Sequence, residues 1–84
     1  MALTMGAQLR AARALLGLEK ETLAKLAGVS SATLRKFEAV DGTLDARTST
    51  LRALEAVFTA RGVEFVNGDK PGARLDLSRG RGVA

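Results

Sequence analysis

The sequence predicts a mainly α protein: four helices in a lambda-repressor-like order, closed by a short C-terminal β-hairpin. Three observations carry that reading. Apolar residues recur at helical spacing in four successive stretches between Met5 and Phe58. Glycines stand where the first, second and fourth of these patterns stop, at Gly17, Gly28 and Gly62. After Gly62 the period shortens from helical to alternating.

The first helix rests on Met5, Leu9, Ala12 and Leu16, with Gln8, Arg10 and Arg13 expected on or near its edge. Gly17 ends it, and Leu18 leads into Glu19, Lys20, Glu21 and Thr22, where acidic residues suit a helix N-terminus. The second helix should turn Leu23, Ala24, Leu26 and Ala27 inward. Gly28 can adopt a left-handed backbone at little steric cost, so the chain turns there, with Val29 buried behind it. Ser30 is a good N-cap for the third helix, in which Leu34 and Phe37 face the core while Ser31, Ala32, Arg35 and Lys36 face outward. Asp41-Gly42 carries a hairpin-turn signal, but helical patterns on both sides place it in a loop between helices. Thr48, Ser49 or Thr50 would cap the fourth helix, which buries Leu51, Leu54, Val57 and Phe58 and stops at Arg61-Gly62. Val63 and Phe65 then alternate with Glu64, and Leu75 and Leu77 with Arg74 and Asp76, which reads as two strands joined by a loop from Asn67 to Gly72. The chain thus divides into a helical unit over 1–62, a hairpin over 63–77 and a basic tail over 78–84 carrying Arg79 and Arg81.

Composition bounds the function. At 84 residues, with three Phe as its aromatics, the chain supports one thin core filled by Leu, Val and Ala. The absence of Cys fits a reducing cytoplasm. No apolar run approaches the roughly 20 residues of a membrane span, and Arg10 and Arg13 interrupt the N-terminal stretch as they would not in a signal peptide. Without His, Cys or Tyr, with scattered carboxylates and no glycine-rich phosphate loop, an enzyme is disfavoured, and no cofactor or metal is expected. The net charge of +4 fits a polyanionic partner. Residues 1–38 hold six basic and three acidic side chains, whereas 39–62 are balanced. The excess therefore lies mainly in the part of the chain that holds the first three helices.

Lys20, Ala24, Gly28, Val29, Leu34 and Phe37 form a spaced set with a mechanical meaning. Small Ala24 lets two helices approach, Gly28 makes the turn, and Val29, Leu34 and Phe37 lock the third helix across the second. The run from Leu18 to Ser30, LEKETLAKLAGVS, continued by Leu34, Phe37 and Glu38, resembles the helix-turn-helix family of phage lambda and 434 repressors, Cro proteins and related XRE-type bacterial regulators. The resemblance covers Leu9 to about Phe58. The chain after Gly62 departs from the simplest members, which end in a further helix.

The resemblance implies a sequence-specific regulator of transcription, a repressor ahead of an activator, that binds double-stranded DNA with its third helix in the major groove. It places Ser31, Ala32 and Lys36 at base edges, where an ammonium can donate to guanine O6 and N7, a hydroxyl can donate or accept, and a methyl can touch thymine. It places Lys20, Ser30, Thr33 and Arg35 at phosphates, contacts that position the protein without reading sequence. Lys20 stands where most members carry Gln, and it keeps a phosphate contact while losing the amide. Arg13 and Glu38 match a pair that bridges the first and third helices. Thr43 and Arg47, after the third helix, read equally as phosphate contacts or as a helix cap and a surface charge. Arg79 and Arg81 read as a solubilising tail ahead of a groove-reaching arm.

A two-stranded hairpin is marginal alone, so it must pack on a helix or pair with a second copy. A two-fold dimer would bury Val63, Phe65, Leu75 and Leu77 and set two recognition helices about 34 Å apart, matching a palindromic site. The rival reading is a protein-interaction module, such as an antitoxin-like protein whose partner adds a strand to the hairpin edge.

Overall fold

A computed structural model describes residues 2–78, so Arg79 and Arg81 lie outside the described residues. The chain forms α1 (Gly6–Leu16), α2 (Lys20–Ala27), α3 (Ser31–Glu38), α4 (Thr48–Ala60), β1 (Val63–Val66) and β2 (Gly72–Leu75). The mainly helical fold with a terminal hairpin is the one the hydrophobic periods predict. No helix of the described residues is long and apolar enough to cross a membrane.

Leu9 and Ala12 of α1, Leu23 and Ala24 of α2, Leu34 of α3, and Leu54, Val57 and Phe58 of α4 make one buried cluster. Leu3 joins it from the extended segment before α1. Val63 joins it from β1, so the hairpin belongs to the same core as the helices. β1 and β2 pair antiparallel, Val63 opposite Leu75 and Phe65 opposite Ala73. The Phe65 ring packs edge-on against Phe58, centroids 5.8 Å apart. On the outer face Arg74 Nε donates to Glu64 Oε1 at 2.7 Å.

This packing covers much of the hairpin's apolar face within one chain, the first of the two ways such a hairpin can be supported. Val63 is 1% exposed, and Phe65 and Leu75 are half-buried against the protein's own core. The two-stranded sheet gains its stability from α1 and α4, which leaves that face covered within one chain. Leu77 falls beyond the end of β2 and is 61% exposed, so it does not continue the alternation, while Gly72 enters the strand.

Three further expectations change. Gln8 is not at an edge but fully buried. Leu26 does not point inward but is largely exposed, because α2 buries only the stripe around Leu23 and Ala24. The N-cap of α4 is Arg47, with no side-chain cap bond, instead of Thr48, Ser49 or Thr50.

Gly6 allows a backbone approach no other residue would. A Cβ there would lie 1.7 Å from the Val40 carbonyl oxygen. That proximity lets Gly6 N donate to Gly42 O at 3.0 Å and Leu44 N to Thr4 O at 2.8 Å, with Met5 bridged to Thr43. The segment before α1 thereby clamps the loop that follows α3.

Candidate nucleic-acid interface

The turn between α2 and α3 follows from Gly28. At φ 70° it takes the left-handed conformation that ends α2, and its N–H closes onto Lys25 O at 3.3 Å. Val29 N then donates to Ala24 O at 3.0 Å, which completes the reversal. Ser30 caps α3, its Oγ accepting from Thr33 N at 3.1 Å while its own hydroxyl donates to Thr33 Oγ1 at 2.8 Å. Thr33 Oγ1 thus accepts from Ser30 and keeps its own proton to donate elsewhere.

Successive residues of α3 rotate by about 100°. Ala32, Arg35 and Lys36 therefore share one side, and all three are exposed. Leu34 and Glu38 occupy the opposite side and are buried. Ser31, expected to face outward with them, lies one step from Ala32 toward the Glu38 side and is half-buried, so it borders the outward face.

Two arginines of α1 hold this helix. Arg13 Nε donates to Glu38 Oε2 at 2.8 Å and Nη2 to Oε1 at 2.9 Å, a bidentate pair. Arg13 Nη1 also donates to Leu18 O at 3.0 Å, which ties the α1–α2 connection to the same group. Arg10 Nη1 donates to the Glu38 and Val40 carbonyls, and its Nη2 pairs with Asp41. The electrostatic result is specific. Glu38, the one carboxylate of α3, is buried and neutralised by Arg13, so the outward face carries Arg35 and Lys36 with no acid on it.

Around this face, Lys20 and Lys25 of α2 are exposed, with Glu19 and Glu21 beside Lys20. Thr43 and Arg47 are exposed on the loop after α3, and Arg52 is exposed one turn into α4. A recess of about 250 Å³ separates α3 from that loop, lined by Thr33, Lys36, Phe37, Val40, Thr43, Leu44 and Asp45. Lys36 and Thr43, separate in sequence, therefore border one space. Val63, Phe65 and Leu75 take no part in this surface.

Sequence reasoning missed Gln8 and Gly6. Gln8 carried a legible signal, because Gln at the third position of a helix can accept the N-cap N–H. Gly6 carried none, since its reason is the carbonyl of Val40 across the fold. No protein-family model matches the chain, and no curated protein matches it.

Proposed function

We propose that this protein is a sequence-specific, double-stranded DNA-binding transcriptional regulator of the lambda/434 repressor and Cro-like kind, with α3 as its recognition helix. The observation that carries this reading is the outward face of α3: Ala32, Arg35 and Lys36 exposed, and the helix's one carboxylate buried under Arg13. A cationic, acid-free face suits a helix that enters the major groove, because bases and phosphates both reward donors there.

Lys36 and Ala32 read bases, with Ser31 at the margin. Arg35, Lys20, Ser30 and Thr33 hold phosphates, joined by Thr43 and Arg47 from the following loop. The protein acts on a palindromic site as a homodimer. With Val63, Phe65 and Leu75 turned inward, the second copy meets the hairpin through a strand edge and the exposed Leu77.

The test is selection of bound sequences from a random duplex library at near-physiological salt, followed by gel shift of the winner. A palindromic motif with half-sites about one helical turn apart supports the reading. Weak, salt-sensitive binding with no enriched motif would sink it and favour a module that engages a protein partner.

A further inference from the structure

Gln8 is a neutral amide with no exposed surface, yet its bonds reach two other parts of the fold. Its Oε1 accepts from Thr4 N at 2.9 Å and Met5 N at 3.1 Å. Its Nε2 donates to Val66 O at 2.8 Å and Asn67 Oδ1 at 3.0 Å, at the tip of the hairpin. Burial of an amide is tolerated only when its donors and acceptors are met, and here they are met from two elements, the N-terminal segment and the hairpin tip, which also share the core through Leu3 and Val63 and a direct Thr4 Oγ1 to Asn67 Oδ1 contact at 3.4 Å.

The same N-terminal segment reaches the loop after α3. Thr4, whose N–H ends on Gln8, offers its carbonyl to Leu44 N at 2.8 Å, and Met5 bridges Thr43. Hairpin tip, Gln8, Thr4–Met5 and Thr43–Leu44 thus form one continuous hydrogen-bonded chain. Its far end carries Thr43, which borders the same recess as Lys36.

We propose that Gln8 is a positioning residue: it couples the hairpin tip to the loop after α3 and so sets Thr43 against DNA. The proposal rests on the DNA-binding reading for its consequence, while the coupling itself is a property of the free protein. A hairpin whose tip is displaced, by a bound partner or by mutation, shifts the loop and weakens the Thr43 contact. The hairpin becomes a part of the reading apparatus instead of a mere cover for the core.

Two variants test it, one at the buried amide and one at the exposed tip, so that the second carries the test if the first does not fold. Gln8→Glu keeps an oxygen for Thr4 N and Met5 N but sets an acceptor oxygen where the amide donated to Val66 O, Asn67 Oδ1 and Gly72 O. Asn67→Ala removes at the exposed tip the oxygen that accepts from both Gln8 Nε2 and Thr4 Oγ1. Amide hydrogen exchange at Leu44 in the free protein, compared with amides of α4 in the same sample, reads the coupling directly. It should quicken by about tenfold or more in Gln8→Glu, and by less in Asn67→Ala, while the α4 amides shift together by the global amount. A Thr43→Ala cycle on the selected duplex reads the consequence. Thr43→Ala should weaken binding several-fold in the wild type and scarcely at all in Gln8→Glu, a coupling in the range found for residues of one network. If Leu44 exchange changes only by the global amount, or Thr43→Ala costs the same factor in both backgrounds, Gln8 is a helix cap and nothing more. If the wild type selects no duplex at all, the DNA reading fails, and the Leu44 measurement still judges the coupling.

Discussion

Replacing either member of the Arg13–Glu38 pair should cost stability unequally, with Arg13→Ala the worse. The Glu38 side chain is 5% exposed and that of Arg13 is 25% exposed. Removing the guanidinium strands a carboxylate away from water, a loss of about 3–5 kcal/mol for a buried partner left uncompensated. Removing the carboxylate leaves an arginine that still reaches solvent and still donates to Leu18 O, so about 1–3 kcal/mol is expected, the cost of charge-assisted bonds lost without a fully orphaned charge. A domain of this size has roughly 4–13 kcal/mol in total, so Arg13→Ala removes a large share of it. Urea unfolding followed by circular dichroism gives both values from the midpoint, provided the slope is unchanged. A double variant, Arg13→Met with Glu38→Leu, removes both charges and should return to within about 2 kcal/mol of the wild type. Should Glu38→Ala prove as costly as Arg13→Ala, or costlier, the burial asymmetry would not be the controlling quantity and the argument would fail. The consequence for the interface follows from the same pair. Each single variant removes the ion pair that fixes α3 against α1 and leaves Arg10 on the Glu38 and Val40 carbonyls as its remaining polar tie, so specific duplex binding should fall by more than the loss of folded protein accounts for.

Gly6→Ala should be among the most damaging single-methyl additions in the chain, at least about 3 kcal/mol, because the added carbon would overlap the Val40 carbonyl; a midpoint near wild type in urea would contradict the close approach. Phe58→Ala, which empties a fully buried site and removes the ring that Phe65 packs against, should cost about 3–5 kcal/mol by the same measurement. Lys36→Ala should relax preference at one base position at a cost of about 1–3 kcal/mol in specific binding, whereas Lys20→Ala should weaken all sequences alike; gel shifts on a panel of single-base variants separate the two. Leu77→Asp should leave the unfolding midpoint within about 0.5 kcal/mol of wild type but raise the dimer dissociation constant in sedimentation equilibrium; an unchanged association would move the proposed interface elsewhere.

How much of this was written locally varies element by element. The turn at Gly28, the cap at Ser30 and the outward Arg35 and Lys36 were legible because each depends on residues within a turn of itself. The four helices and the hairpin were legible for the same reason, a repeat of apolar residues that the folded chain turns to one side. Leu26 misled because periodicity marks a stripe without saying how wide the neighbouring helices make it. Leu77 misled because alternation runs on past the last ladder pair, and only the partner strand ends a strand.

The sequence by itself thus determined the order of elements and the charged face of α3, properties fixed by local geometry and side-chain chemistry. Tertiary structure alone decided three others. It turned Val63, Phe65 and Leu75 onto the protein's own core, where α1 and α4 pack against the hairpin. It required glycine at position 6, because a carbonyl from Val40 occupies the space of a side chain. And it buried Gln8 with every polar atom bonded, because only in the folded chain do the N-terminal segment and the hairpin tip arrive on either side of one amide. These depend on what residues far apart in the chain place opposite one another, which no local pattern encodes.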